Sequence, residues 1–283
     1  MNQRKNNLAI NEVNETLKEG TLSLFEKERY KDYLGAVSQF PEYSSNNQTL
    51  IYIQSKGTAT MVCGYEDWKK KHGRHVVKGG RGLKILAPKK KTVMKEKKDA
   101  NGNTVYDKDG NPVMAAEKEF AGFCVKTVFD VSQTAGKPIL SITALFSGNV
   151  DGYSELLDIM SDVSPVPISF GETNQGYMAD KEEIAVKSDM SQQQIIQALI
   201  PSVAGAVLKK QGSKSYSHDG LEAESVAYIV ASHFGIEADY DFDYITDWSA
   251  EKELSELTAS LKTIQKAASS MIKDIEKCRK ALA

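Results

Sequence analysis

The sequence predicts an α+β protein of two domains, and three observations carry that expectation. The first is a charge split. Residues 1–146 hold 24 Lys and Arg against 16 Asp and Glu, net +8, and the remainder holds 12 against 22, net −10. The second is a grouping of elements: strand-period segments and turn glycines gather in the first half, and helical periodicity dominates the second. The third is a tail whose apolar residues keep a three-four spacing to its end. The chain has 283 residues, enough for one or two cores. The expected boundary lies between 145 and 146, in a stretch containing Gly136, Pro138, Gly148 and Gly152.

Taken in order, residues 8–36 have the apolar spacing of one or two amphipathic helices, with a break expected at Gly20-Thr21. A further helix is expected over 45–56, capped by Ser44 or Ser45, with Leu50, Ile51 and Ile53 as its apolar face. A short strand at 60–62 and a helical turn at 65–71 follow. Residues 83–87 read as a strand ended by Pro88. Residues 89–118 read as a hairpin insertion, because Asn101-Gly102 and Asp109-Gly110 are both turn signals. Alternation at 120–129 predicts another strand. In the second half, helices are expected at 153–161, at 192–210 after the cap Ser191, and at 221–234 before Gly235. Short strands are expected at 166–170 and 176–186. The tail, 249–283, is expected as one amphipathic helix, either a coiled-coil seam or a helix lying across its own domain.

Composition narrows the function. Cys63, Cys124 and Cys278 are widely spaced and form no Cys-x-x-Cys pair, which points away from disulfide scaffolds and zinc ribbons. No run approaches the roughly 20 apolar residues that span a bilayer, and the N-terminal residues do not read as a signal peptide. A cytoplasmic, soluble protein is expected, with no membrane partner and no cofactor.

The densest chemistry lies between Tyr43 and Pro88, where cations, aromatics and glycines are interleaved. That mixture suits a surface that neutralises phosphates and stacks unpaired bases. Tyr43, Tyr65 and Trp68 are the stacking candidates, although each can equally anchor a core. Arg74, Lys78, Arg81 and Lys84, with Lys69 and Lys70, are the phosphate candidates. Asn46 and Asn47 are candidate hydrogen-bonding residues, as is Gln54. Gly79, Gly80 and Gly82 either admit a phosphate to the backbone or make a tight turn. Asp130 and Gln133 read as loop-fixing residues.

Read in order, Tyr43-Ser44-Ser45-Asn46-Asn47, Gly64-Tyr65, Trp68, Gly73-Arg74, Val77-Lys78-Gly79, Gly82-Leu83, Ile85-Leu86-Ala87-Pro88 and Val128 to Thr134 resemble the N-terminal single-stranded-DNA-binding domain of ArdC-type antirestriction proteins. The second half resembles the partner domain of that family, a zinc metallopeptidase-like module of the ImmA/IrrE group. That likeness runs through Met190-Ser191, Leu199-Ile200, Glu222 to Tyr228 and His233-Phe234-Gly235.

The resemblance implies non-specific binding of single-stranded DNA by a protein of a mobile element. Such a protein protects transferred DNA during conjugation or blocks restriction. It also exposes a departure. The family places His-Glu-x-x-His after the Leu-Ile pair, where two histidines on one helix face hold zinc and the glutamate activates water. This sequence has Pro201-Ser202-Val203-Ala204-Gly205 there. The expectation is therefore a pseudopeptidase with no catalytic residue and no metal, Glu222 or Glu224 standing where the third ligand belongs. His218 and His233 are the only nearby histidines. Two alternatives stay open. One is an interaction protein that uses the acidic half and the tail to bind a host or mobile-element protein or to oligomerise. The other is a peptidase with relocated zinc ligands.

Overall fold

The structure, a computed structural model, describes residues 2–139, 150–172, 176–215 and 220–282. It is a mixed α/β fold of helices, small sheets and a long C-terminal helix. Three helices open the chain: α1 (Asn2–Leu24), α2 (Lys27–Val37) and α3 (Ser45–Ser55). Helix α1 runs through Gly20 rather than stopping there. The glycine is used for packing, since a Cβ at this position would overlap the Ile53 side chain of α3.

An antiparallel sheet follows, built from β1 (Val62–Gly64), β3 (Leu83–Glu96) and β4 (Met114–Asp130) in the order β1-β4-β3. Helix α4 (Tyr65–His72) leaves β1, and β2 (Arg74–Val76) pairs with β5 (Thr134–Gly136) as a two-stranded ribbon. Strand β3 passes straight through Pro88, where the sequence suggested a stop. It is an edge strand in its sheet, so a missing N–H on the open side costs no ladder bond. The expected insertion is therefore the outer part of one long hairpin, with residues 97–113 as its tip. Gly102 and Gly110 turn there at φ +84° and +82°.

The second half contains α5 (Val150–Val163), then β6 (Ile168–Gly171), β7 (Gly176–Met178) and β8 (Glu183–Lys187) in the order β6-β8-β7. Helices α6 (Gln192–Lys210), α7 (Leu221–Phe234), α8 (Ile245–Ala250) and α9 (Leu254–Leu282) complete it. Ser191 and Gln194 form the capping box of α6. The tail helix begins five residues later than a single helix from 249 requires, because Ser249 and Ala250 belong to α8 and α9 starts at Leu254. Glu256 then accepts the Glu253 amide to start α9.

The a/d stripe of α9 is consumed at home. Leu257, Leu261, Ile264, Ala268, Met271 and Ile275 are all buried in the main core. Of the two readings of the tail, the structure takes the helix lying across its own domain: the stripe covers the protein's own helices.

That main core also takes in the first half. Leu24, Phe25, Tyr30, Leu34 and Val37 pack with residues of α5, α6, α7 and α9. Tyr30 Oη lies 2.8 Å from Ser225 Oγ, and His233 Nδ1 donates to the Ser38 carbonyl at 2.7 Å. A smaller core under the first sheet joins Phe40, Ile51, Ala59, Val62, Leu83, Ile85 and Val128.

Candidate nucleic-acid interface

Helix α4 positions the first part of the site. Its lysines divide by spacing. Lys70 reaches Glu66 at 3.6 Å and Lys71 reaches Asp67 at 3.4 Å, both one turn away. Lys69 is exposed, has no carboxylate partner among the described residues, and sits one turn after Tyr65. Tyr65 is 58% exposed. Its ring meets Phe129 of β4 edge-on, with centroids 6.2 Å apart.

The loop from Val77 to Gly82 closes over the same place. Gly80 donates to the Val77 carbonyl at 3.1 Å, forming a tight turn. Gly82 lies directly on Thr127 and the Phe129 ring, in space that any Cβ would fill. This sets Arg81 next to the Phe129 ring that Tyr65 meets, while Gly80 at the other end of the loop packs on Val76 and Gln133. The loop's Lys78 and Arg81 are both exposed and without a carboxylate partner among the described residues. Lys84 is also exposed but reaches Glu12 of α1 at 3.2 Å. The result is an aromatic ring at the surface with Lys69, Lys78 and Arg81 left uncompensated, an arrangement fit to meet phosphates and one or more unstacked bases.

Several sequence candidates are placed elsewhere. Trp68 is fully buried at 0% exposure, and its indole Nε1 donates to the Phe129 carbonyl at 2.9 Å. It anchors the sheet and offers no face to a base. Asn47 is buried too. Its amide donates to the Leu86 carbonyl and accepts the Leu86 N–H, each at 2.9 Å. Gln54, two turns on, does the same for Lys84 at 2.8 Å twice. Together they stand in for a missing neighbour strand along the open edge of β3.

Arg74 is a staple for β5. Its guanidinium donates to the Thr134 hydroxyl at 2.7 Å, to the Thr134 carbonyl at 2.8 Å and to the Lys137 carbonyl. Tyr43 is half-buried and donates to the Val62 carbonyl at 3.1 Å; burial pushes its phenol up to about 12. Asn46 is half-buried. Asp130 fixes its loop as the sequence suggests. Burial pushes its carboxyl up, but the amides of Ser132, Thr60 and Met61 outweigh this and hold it below the usual range. Phe129 is the residue the sequence reading passed over. Its strand alternation was visible, but its exposure to the α4 side depends on where α4 packs.

The slot on α6 is a second place to examine. Helix α6 continues unbroken through Pro201, and residues 201–208 are all buried. Proline has no N–H for the carbonyl one turn back, that of Gln197. Tyr240 supplies the replacement: its hydroxyl donates to the Gln197 carbonyl at 3.3 Å. Ser202 turns its hydroxyl back to the Ala198 carbonyl at 2.6 Å. Glu222 is buried and accepts from Ser213 at 3.0 Å, and burial raises its carboxyl above the ordinary value. Glu224 instead accepts from Tyr244 at 2.7 Å. His233 is engaged by Ser38 and lies 3.6 Å from Glu276. His218 lies outside the described residues.

Pro201 and Gly205 offer no donor atom, so the residues present do not fit the zinc site that the family pattern implies. No group of three His, Cys, Asp or Glu side chains suited to a metal occurs among the described residues. No described helix is long and apolar enough to cross a membrane.

Three comparisons bear on this geometry. The family model for the N-terminal domain of anti-restriction factor ArdC matches residues 6–129. Two crystal structures of the antirestriction ArdC protein from plasmid R388 are similar to this chain. The metal-free one is 18% identical, with a TM-score of 0.44 and 84% of each chain covered. The Mn(II)-bound one is 15% identical, with a TM-score of 0.44 and 85% of each chain covered. None of the curated proteins matches this chain.

Proposed function

We propose that this chain, which through residues 6–129 belongs to the ArdC anti-restriction family, binds single-stranded DNA without sequence preference. The face around Tyr65 is the binding surface. The observation that carries the reading is that Lys69, Lys78 and Arg81 stay without carboxylate partners beside an exposed aromatic ring, while Lys70 and Lys71 on the same helix are paired. A surface that keeps some cations free next to an aromatic ring, in a chain of net charge −2, suits a polyanion with accessible bases. Bound in this way, the protein shields transferred DNA of a mobile element or occludes it from restriction enzymes in the cytoplasm.

Residues 1–145 carry the binding face in this reading, and residues 146–283 form a metallopeptidase-like part without peptidase chemistry. The support for that second point is the donor-free Pro201 and Gly205. No metal-dependent step follows from such a slot.

Fluorescence anisotropy with labelled single-stranded and duplex oligonucleotides across a salt series tests the reading. Preference for the single strand and a linear fall of log K with log salt are expected. The variant K69A/K78A/R81A removes three phosphate contacts and should flatten that slope by about 2, at roughly 0.7 per contact on a single strand. Arg74 is left intact in the variant because it holds β5. An unchanged slope, or no binding at low salt, would remove the reading.

A further inference from the structure

The outer part of the β3–β4 hairpin has two unlike faces. In the antiparallel register Lys91 lies opposite Glu119, Val93 opposite Glu117 and Lys95 opposite Ala115, so these six share one face. Its charges cancel locally: Lys95 reaches Glu119 at 2.6 Å and Glu117 at 3.7 Å, and Lys91 reaches Glu119 at 3.9 Å. The other face pairs Lys90 with Phe120 and Thr92 with Lys118. Here Lys90 and Lys118 are exposed and have no carboxylate partner among the described residues.

Phe120 is 61% exposed and Phe123 is 51% exposed. They are three apart in sequence, a spacing that in a regular strand sends side chains to opposite faces. A bulge reverses this. Between the pairs Pro88–Phe123 and Lys90–Phe120, β4 carries one residue more than β3. Gly122 accommodates it at φ +96°. The two rings consequently meet edge to face, with centroids 5.3 Å apart. Two adjacent phenyl rings in water on an otherwise polar arm are costly to solubility and mark a contact surface.

We propose that Phe120 and Phe123, with Lys90 and Lys118, form a base-stacking site for single-stranded DNA on the hairpin arm. The charge pattern selects this occupant. On the outer arm Lys91 and Lys95 are paired with carboxylates on the face away from the rings, whereas Lys90 and Lys118 beside the rings have no carboxylate partner among the described residues, which suits a strand of phosphates and bases. Phe129 and Phe123 also share a face of β4, because the residues between them alternate regularly. Phe120 lies nine residues from Phe129, about 30 Å at roughly 3.3 Å per residue. A strand bound along β4 would therefore run from the Tyr65 face to the arm. The inference rests on the single-strand-binding reading and adds to it a position and a mode of contact.

The test compares the full chain with F120A/F123A, F120L/F123L and K90A/K118A, all surface changes. Each is titrated with labelled oligothymidylate and with an abasic strand of the same length. The intact protein should prefer oligothymidylate. Both phenylalanine variants should lose roughly ten-fold or more of the oligothymidylate affinity, the scale of a lost base stack, with abasic binding unchanged. The leucine variant separates loss of the ring from loss of apolar surface, and K90A/K118A should weaken both strands alike. Oligothymidylate affinity unchanged in both phenylalanine variants would overturn the stacking site and leave the single-strand reading standing. So would light scattering that shows the rings joining two copies of the chain while DNA binding is unaffected. Failure of the intact protein to bind either strand would bring down the reading itself, and this inference with it.

Discussion

The exchange between Pro201 and Tyr240 is open to a quantitative test. Proline inside α6 leaves the Gln197 carbonyl without its helical donor, and the Tyr240 hydroxyl takes that role at 3.3 Å. Tyr240 is 8% exposed, so water is a poor substitute. Tyr240→Phe keeps the ring and removes only the donor. An unsatisfied buried carbonyl costs about 1–3 kcal/mol, which is the loss expected for the single variant. In a Pro201→Ala background the alanine N–H can reach Gln197 directly, and the hydroxyl becomes redundant. Tyr240→Phe should then cost little, giving a coupling energy of about 1 kcal/mol or more in a double-mutant cycle. Urea unfolding of the four proteins, with equal m-values, measures it. Equal costs for Tyr240→Phe in both backgrounds would refute the assignment, as would no cost in the parent protein.

Two further predictions concern stability. Asn47→Ala removes both hydrogen bonds to Leu86 and should cost about 2 kcal/mol, at roughly 1 kcal/mol per bond. Because Asn47 faces β3, DNA affinity of the folded variant should equal that of the parent by anisotropy; a specific loss of affinity would contradict the placement. The second is a pH effect at Glu222. Burial raises its folded-state pKa above the ordinary 4.5. The folded state therefore holds the proton more tightly than the unfolded state, and stability falls as pH rises from about 4.5 through the raised value. Glu222→Gln should remove that decline, so the stability difference between parent and variant should change across this window and level off above it. Parallel stability profiles would rule the effect out.

What the sequence made legible was local. Ser191 announced the start of α6, Gly235 the end of α7, and Asn101-Gly102 and Asp109-Gly110 the turns of the hairpin tip. Each signal acts within a few residues, so no partner is needed to read it. The misread residues are those whose roles depend on distant chain. Trp68 reads equally as a stacking residue or a core anchor, and only Phe129, 61 positions away, decides it by accepting the indole N–H. Asn47 and Gln54 are polar residues near the start and the end of one helix, and nothing in their spacing says that a strand edge will need their amides. Pro88 reads as a terminator unless it is known to lie on an edge strand. The Phe120–Phe123 pair was hidden by the period-two rule itself, which a single bulge at Gly122 inverts.

The α6 slot bears on what the second half does for the first. The polar groups around Pro201 on α6 lie where water is a poor partner. Here each has found an internal partner: Gln197 with Tyr240, Ser202 with Ala198, Glu222 with Ser213, Glu224 with Tyr244. The surrounding helices stay tightly packed, and the groups they present to the first half are structural. Ser225 meets Tyr30 and His233 holds the carbonyl of Ser38, at the end of α2. Helix α2 leads into α3, whose amides brace the edge of β3, and β3 carries the sheet beneath Tyr65 and Phe129. The chain of contacts from α7 to the proposed binding face is unbroken. On this reading the second half acts as a rigid base for the first. Weakening it by Tyr240→Phe should therefore lower stability well before it changes DNA affinity.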